Sequence, residues 1–286
     1  MGSTIIGCGK SLPKLEVAND ELKALVDTND EWISTRTGIR SRHVAVEETA
    51  TDLAEAAARQ ALGLADGGWR EDGEAIDPAS IDLVIYATIT PDVLVPSAAG
   101  LLRRRLGLEN AIAFDLNAAC TGFVYGLTVA ECMMAGSTAG APGAAGRNPV
   151  RRALVVGAER LTRVTGWSDR NTCVLFGDAA TACVLTASAD KALAGVEDVI
   201  CQSDGNQRDL ITVGGGTACR YGLGQPTDEN FFITMQGRET YKHAVRQMVR
   251  ICEQILARNG LSIEDVDLFV PHQANMRIIE AVGSRL

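Results

Sequence analysis

A cysteine and a histidine each stand where an apolar segment gives way to a helical pattern. Cys120 follows the apolar run 111–116, a predicted buried strand, and precedes a helical pattern that starts near Phe123. A helix N-terminus carries unsatisfied N–H groups and partial positive charge, which favour a thiolate. Cys120 is therefore a candidate nucleophile, although a small buried core residue fits the same pattern.

His272 is the candidate partner of that cysteine. The other histidines, His43 and His243, lie in a polar stretch and on the face of a helix, where a surface role suffices. His272 instead follows the apolar segment 265–270, a predicted strand, and precedes a helix that starts near Met276. Polar residues at strand ends line the ligand crevice of α/β sheets. A cysteine and a histidine at two such ends indicate covalent thioester chemistry.

Strands and helices alternate along the chain, which predicts an α/β fold. The best-defined helices are 51–64, 97–106, 123–134 and 239–258, and the predicted strands are 4–8, 81–88, 111–116, 152–157, 172–175, 181–186, 195–200, 231–235 and 265–270. Glycine-rich or polar loops are expected at 135–148 and 203–229. Both halves repeat an amphipathic helix, an acidic turn and a buried strand that ends at a polar residue. We expect an internal duplication with its boundary at 187–193, giving domains 1–188 and 189–286.

The composition excludes several classes of function. The net charge of −9 and an aromatic content of 5% disfavour a nucleic-acid partner. The eight cysteines are scattered without a CxxC pair, which predicts reduced thiols in a cytoplasmic protein and no metal site. No signal peptide and no membrane-spanning stretch is expected, and no GxGxxG motif follows an early strand, which disfavours a Rossmann dinucleotide protein.

Two further groups of residues suit ligand or partner binding. Trp32 lies in the polar stretch 27–43, predicted to be a surface loop, near Arg36, Arg40 and Arg42. An indole stacks on flat groups and arginines bind phosphates, so this stretch is a candidate ligand rim as well as a solvated loop. On helix 239–258, the cations at positions 242, 246 and 250 share one face. That spacing alone indicates only a solvated surface.

Four motifs together resemble the thiolase-fold condensing enzymes, most closely the beta-ketoacyl-[acyl-carrier-protein] synthase III family. They are DTNDEWISTRTGIRSRH, the AACTGF segment around Cys120, LFGDAA and VPHQANMRII. The resemblance runs from Ile5 to the last residue. It implies a layered αβαβα fold of two duplicated halves.

The resemblance implies a decarboxylative condensation. Cys120 would take an acyl group from an acyl-CoA, and malonyl-acyl-carrier-protein would then lose carbon dioxide. The resulting carbanion would attack the acyl-Cys120 thioester, giving a 3-oxoacyl chain. His272 would stabilise the enolate oxygen as a neutral N–H donor, and the backbone N–H of Cys120 would serve an oxyanion hole. No cofactor is implied beyond coenzyme A as the carrier of the substrate.

The resemblance also assigns binding residues. It places the coenzyme A contacts at Trp32, Arg36 and Arg170. It places the contacts to the acidic carrier protein at Lys242, Gln273, Ala274, Asn275, Met276 and Arg277, to which Arg246 adds charge. Val95 matches a position that often carries an aromatic gate from the partner of a homodimer. A valine there would leave room for a longer or branched acyl primer.

One departure keeps several functions open. The family continues beyond VPHQAN with a segment that bears a catalytic asparagine and a glycine-rich strand turn, and the printed sequence ends at Leu286 before both. We therefore expect the second half to be incomplete, whether in a partial sequence, a fragment or a shortened paralogue without condensation activity. The rivals within the fold are a polyketide starter synthase and a plain acyltransferase. A non-catalytic partner subunit is disfavoured because Cys120 and His272 are both present.

Overall fold

The computed structural model describes residues 2–136, 149–188, 195–214 and 231–286. They form two compact units. The first unit comprises Met1–Leu15, His43–Arg160 and Asp178–Val199, and the second comprises Glu16–Arg42, Leu161–Gly177 and Ile200–Leu286. The predicted domains 1–188 and 189–286 follow chain order and a presumed duplication, and they stay a prediction.

The described residues contain ten strands and six α-helices. The strands are β1 Gly2–Ser11, β2 Leu15–Ala18, β3 Ser41–Val44, β4 Trp69–Arg70, β5 Leu83–Ala87, β6 Ile112–Leu116, β7 Arg152–Arg160, β8 Asp178–Ser188, β9 Ile211–Val213 and β10 Ile233–Met235. The helices are α1 Asp30–Thr37, α2 Ala50–Leu62, α3 Ala98–Leu106, α4 Gly122–Ala135, α5 Gly237–Asn259 and α6 Met276–Gly283.

The first unit is built on a six-stranded sheet with the order β4-β1-β8-β7-β5-β6. Strand β5 is parallel to β6 on one side and to β7 on the other. The carboxyl ends of these three strands therefore lie at the same edge of the sheet. Strand β8 is antiparallel to both β7 and β1. The parallel part of the sheet is where polar side chains at strand ends can converge.

Helices cover both faces of this sheet because its central strands are apolar on both sides. Val84 and Tyr86 of β5 pack into the cluster formed with α2 and α3. Leu83 and Ile85 point the other way, into the cluster formed with α4. The alternation of β5 between the two clusters gives the unit an αβα layering.

The second unit holds smaller elements. Helix α1 packs on a cluster around Leu22, Ile33 and Cys173. Helices α5 and α6 pack on each other through Val245, Ile278 and Val282. Strands β9 and β10 form a two-stranded antiparallel sheet.

Several sequence predictions are wrong. The stretch 27–43 is not a loop throughout, because Asn29 caps α1 by accepting a hydrogen bond from Trp32 N, and Gly38 ends the helix in the left-handed region. Residues 172–175 form turns, and residues 195–200 are not a strand.

The segment 265–270 is not a strand either. It begins with a 3₁₀ turn, Ile263–Asp265, and continues as irregular chain. No strand of the described ranges pairs with it, and an apolar pattern without a ladder partner does not make a strand. His272 therefore precedes a helix but does not follow a strand.

Some predictions lie largely outside the described ranges: the loop 135–148, the boundary 187–193 and the second part of the loop 203–229. Within the described ranges, no helix has the length and apolar character needed to cross a bilayer.

Candidate active site

Cys120 lies on a tight turn between β6 and α4. The turn is a 3₁₀ segment, Ala119–Thr121, and α4 starts directly after it at Gly122. Ala119 has a φ of 46°, a left-handed conformation that costs a non-glycine residue about 1–2 kcal/mol. The turn is closed by Thr121, whose N and Oγ1 both donate to Ala118 O, at 3.1 and 2.8 Å. The side chain of Cys120 is thereby presented in an exposed position.

The pKa of Cys120 is raised, contrary to the expected thiolate. Although the residue is exposed, partial desolvation by the surrounding protein is the largest cause, and the negative charge of Glu159 adds to it. A backbone hydrogen bond acts in the opposite direction but does not outweigh them. Cys120 is therefore a thiol in the free protein at neutral pH.

Glu159 lies close to this cysteine, and sequence inspection overlooked it. It is near the end of β7, and it accepts hydrogen bonds from Ile89 N at 2.8 Å and from the hydroxyls of Thr88 and Thr90. Desolvation raises the pKa of Glu159, although these hydrogen bonds oppose the shift. The rule that selected His272, a polar residue at the end of an apolar strand, applies equally to Glu159 in the segment RALVVGAE.

The predicted coenzyme A contacts lie together in the second unit. The guanidinium carbon of Arg170 is 3.9 Å from the Trp32 ring centroid, and that of Arg36 is 4.6 Å from it. Trp32 is half-buried against the α1 cluster, which fixes the ring. A flat aromatic surface beside two cations suits a ligand with a planar ring and negative charge.

The other two arginines of this stretch differ from each other. Arg42 is 5% exposed and donates to Val17 O, Asn19 Oδ1 and Val174 O. It is a structural residue and not part of a ligand rim. Arg40 is exposed.

The segment around His272 leads into α6. His272 is exposed, and partial desolvation lowers its pKa, so the neutral imidazole is favoured at physiological pH. Asn275 caps α6 by accepting from Ile278 N at 3.0 Å. Gln273 Nε2 donates to Pro271 O.

Helix α6 contacts α1, so two groups of predicted binding residues adjoin. Arg277 Nη2 donates to Thr35 O at 3.3 Å. A Cβ at Gly38 would lie 2.9 Å from Met276 Cβ, which explains why glycine is needed at the end of α1 as well as for its φ of 77°. Trp32 and Arg36, predicted for coenzyme A, thus lie on a helix that neighbours the helix of Met276 and Arg277, predicted for the carrier protein.

A groove of about 450 Å³ on α5 collects positive charge. Its lining residues are Tyr241, Lys242, Val245, Arg246, Val249, Arg250, Glu253 and Arg285. The sequence identified the cations of α5, but it did not reveal that Arg285, after α6, joins them. Lys242 pairs with Glu239 at 2.8 Å, which lowers the pKa of that carboxyl.

Val95 lies in the loop between β5 and α3. It is 85% exposed, and its neighbour Leu94 is 89% exposed. The peptide bond between Val95 and Pro96 is cis. Across the part of the chain that the structure describes, no cluster of three histidine, cysteine or acidic residues is arranged to hold a metal ion.

Two family profiles match the chain. Residues 114–205 match 3-Oxoacyl-[acyl-carrier-protein (ACP)] synthase III, and residues 256–286 match the C-terminal profile of the same family. A beta-ketoacyl-[acyl-carrier-protein] synthase III of Nitratidesulfovibrio vulgaris (strain DSM 19637 / Miyazaki F) is 50% identical over 98% of this chain and 78% of its own length.

Solved structures agree with the profiles. The 3-oxoacyl-[acyl-carrier-protein] synthase III from Aquifex aeolicus VF5 has a TM-score of 0.82 and 39% identity, covering 99% of this chain and 80% of that one. The priming beta-ketosynthase of the R1128 polyketide pathway has a TM-score of 0.84 and 35% identity, covering 100% of this chain and 78% of that one.

These likenesses define the class first: the chain has the thiolase-like α/β fold of the acyl-condensing transferases. Its identity to relatives over nearly the whole chain then gives the family. The chain belongs to the beta-ketoacyl-[acyl-carrier-protein] synthase III family.

Proposed function

We propose that this chain uses Cys120 and His272 to carry out the reaction for which its family is named. An acyl-CoA primer and malonyl-acyl-carrier-protein give a 3-oxoacyl-acyl-carrier-protein, the first condensation of fatty acid synthesis. The observation that carries the proposal is the exposed Cys120 on a strained turn at the start of α4, in a chain 50% identical to a synthase of that name.

The first half-reaction loads the primer. Cys120 Sγ attacks the thioester carbonyl of the acyl-CoA, and its proton passes to the sulfur of coenzyme A, which leaves as a thiol. The backbone N–H of Cys120, at the start of a helix, supplies a donor for the developing oxyanion. The product is an acyl-Cys120 thioester.

The second half-reaction forms the carbon–carbon bond. Malonyl-acyl-carrier-protein loses carbon dioxide, and the electron pair of the broken bond becomes the enolate. A neutral His272 donates an N–H to the enolate oxygen, a role supported by its lowered pKa. The enolate carbon attacks the acyl-Cys120 carbonyl, and the sulfur of Cys120 leaves as a thiolate that takes up a proton from water.

Coenzyme A binds, in this proposal, on the surface formed by Trp32, Arg36 and Arg170. The adenine ring stacks on the indole and the guanidinium groups meet the phosphates. Arg170 lies 3.9 Å from the ring centroid in the free protein, so it moves away to admit a ring between them.

The carrier protein binds to the start of α6 and to the cationic groove of α5. Carrier proteins are acidic, and the groove supplies a local positive surface on a chain of net charge −9. The contacts are Lys242 and the segment 273–277. Asn275 also caps α6, so its substitution costs helix stability besides any contact.

The protein works as a cytoplasmic homodimer in this proposal. Among the described strands β6 lies at the edge of the sheet, and the loop between β5 and α3 exposes Val93, Leu94 and Val95. An unpaired edge and an apolar tip suit pairing with a second copy. Val95 then bounds the acyl pocket, and its small size admits primers longer than acetyl.

A second candidate pathway follows from the likeness to the R1128 priming ketosynthase, whose TM-score is 0.84. In that case the same two half-reactions would start a polyketide instead of a fatty acid. The two are distinguished by the KM for the malonyl-loaded carrier protein, which should be lower for the carrier protein of the pathway that the enzyme serves, fatty acid or polyketide.

Intact-protein mass spectrometry tests the loading step. Incubation with an acyl-CoA should add one acyl group to the protein, and peptide mapping should place it on Cys120. Cys120→Ala should abolish the adduct. Cys132→Ala, which removes an exposed cysteine from the helix that follows Cys120, should retain it. An adduct that survives in Cys120→Ala would refute the assignment.

A panel of acetyl, longer and branched acyl-CoA primers tests the role proposed for Val95. A strict preference for acetyl-CoA would contradict that role.

A further inference from the structure

Glu159 binds three consecutive residues of the loop that follows β5. Its Oε1 accepts from Ile89 N at 2.8 Å, and its Oε2 accepts from the hydroxyls of Thr88, at 3.3 Å, and Thr90. Thr90 Oγ1 in turn accepts from Arg160 N at 2.8 Å, and Thr90 N donates to Thr88 Oγ1 at 3.0 Å. One carboxylate therefore fixes the first turn of this loop to the end of β7.

This fixed turn belongs to the same sheet edge as Cys120. Strands β5, β6 and β7 run parallel, so the loop at 88–90, the Cys120 turn and Glu159 all lie toward their carboxyl ends. Thr88 N donates to Leu116 O at 3.1 Å, and a Cβ at Gly122 would lie 3.1 Å from Ala87 Cβ, so the loop starts against the two elements that flank Cys120. The negative charge of Glu159 adds to desolvation in raising the pKa of Cys120. No ion pair with a lysine or arginine neutralises Glu159 among the described residues, and the Arg160 guanidinium donates to Ala45 O instead.

Glu159, Asp92 and Asp115 form an acidic cluster around Tyr86. The other two members of this cluster cap helices. Asp92 accepts from Ala50 N and Thr51 N at the start of α2, and Asp115 accepts from Ala98 N and Ala99 N at the start of α3. Both charges are thus partly balanced by helix N-termini. Tyr86, whose pKa is raised by burial and by these three carboxylates, stays neutral. Of the three carboxylates, Glu159 is the one whose charge contributes to the raised pKa of Cys120.

We propose that Glu159 is a positioning residue for Cys120: it fixes the loop turn 88–90 at the sheet edge that carries the Cys120 turn, and its negative charge, which no lysine or arginine of the described ranges pairs, opposes a second negative charge on the sulfur. The positioning half rests on the proposed acylation of Cys120, while the charge half does not. An exposed thiolate is readily oxidised and a thiol is much less so. The charge of Glu159 should therefore slow the oxidation of Cys120.

The test of the charge is the pH dependence of Cys120 alkylation by iodoacetamide, followed by peptide mass spectrometry. Glu159→Gln removes the charge at nearly constant size, so the midpoint should move to lower pH. The thiolate fraction at pH 7 should rise about threefold to tenfold, as expected when one nearby like charge is lost. Peroxide should also oxidise Cys120 faster in this variant. An unchanged midpoint would overturn the charge half of the proposal.

Asp92→Asn is the matched control, because it removes the same charge from the same cluster. Its midpoint should stay at the wild-type value. If it moves as far as in Glu159→Gln, the effect is one of net charge and the proposal fails. Should Glu159→Gln not give a cooperative melting curve, Glu159→Ala removes the same charge without adding an amide.

Glu159→Asp separates position from charge. The shorter side chain keeps the charge, so the alkylation midpoint should remain that of the wild type. It cannot span to Ile89 and Thr90 together, so hydrogen exchange at the Ile89 amide should quicken and the KM for the acyl-CoA should rise severalfold. Unchanged exchange at Ile89 would overturn the positioning half. Because alkylation and exchange need no substrate, both readouts stand even if acyl transfer to Cys120 is not observed.

Discussion

At the scale of single residues, the backbone before Cys120 is strained, and the sequence gives no sign of this strain. Ala119 has a φ of 46°, whereas its neighbour Ala118 has a φ of −141°. Strain of this kind persists only where the surroundings enforce it, and it is common next to reactive groups. Here the turn closed on Ala118 O by Thr121 enforces it, and the result is an exposed Cys120.

Ala119→Gly should leave the free energy of unfolding unchanged or raise it by up to about 1 kcal/mol. Relief of the left-handed strain, about 1–2 kcal/mol, offsets the added entropy of the unfolded chain, about 0.5–1 kcal/mol. Ala118→Gly, the control, has no strain to relieve and should lose about 0.5–1 kcal/mol. Urea unfolding measures both. Equal losses in the two variants would mean that Ala119 is not strained in solution.

The chemistry of Cys120 shows where sequence reasoning stops at this scale. The position of Cys120 between a strand and a helix could be predicted from the apolar run before it and the helical pattern after it. The direction of its pKa shift could not, because desolvation and the charge of Glu159 depend on strands β6 and β7 being neighbours of β5. A local rule about helix N-termini gave the wrong sign for that reason.

At the scale of secondary-structure elements, α4 approaches the sheet unusually closely. A Cβ at Gly126 would lie 2.9 Å from Val155 Cγ1, and one at Gly122 would lie 3.1 Å from Ala87 Cβ. The two glycines are four residues apart, so they form one strip of the helix that faces β5 and β7. This contact fixes where the N-terminus of α4, and therefore Cys120, lies relative to the strand ends.

Gly126→Ala should destabilise the protein by about 1–3 kcal/mol and slow acyl loading of Cys120. The added methyl group overpacks the helix–sheet contact, and this outweighs the gain of about 1 kcal/mol in helix propensity. Thermal or urea unfolding gives the first effect and the rate of adduct formation gives the second. Gly283→Ala, in α6, meets no atom within 4 Å and should not destabilise. A neutral Gly126→Ala would contradict the close approach.

Elements with their own local signals could be predicted, and elements that depend on distant partners could not. Helix α3 has a serine cap, an apolar stripe and a glycine stop, and its predicted bounds are within one residue of those observed. Segment 265–270 has a strand-like pattern but no ladder partner within the described residues. Helix α1 was missed because its residues are mostly polar, and its stability comes from the Asn29 cap and the packing of Ile33.

At the scale of the whole molecule, a local positive surface lies on a chain whose net charge is negative. The chain carries a net charge of −9, yet the α5 groove gathers Lys242, Arg246, Arg250 and Arg285 around an apolar floor of Val245 and Val249. An acidic partner is repelled by the molecule as a whole and attracted by this surface. The groove therefore has the charge pattern that would orient an acidic carrier protein.

Arg246→Glu should raise the KM for malonyl-carrier-protein about tenfold at low ionic strength, since it replaces an attractive charge by a repulsive one in the middle of the groove. The rate of Cys120 loading from acyl-CoA should not change, because that substrate is assigned to the surface around Trp32. At about 0.5 M salt the difference from the wild type should shrink, because screening acts over only a few ångströms there. Arg104→Glu makes the same change of charge on an exposed residue of α3 and should leave the carrier KM as it was. If the two variants raise the KM equally, net charge and not the groove governs binding, and the carrier protein docks elsewhere.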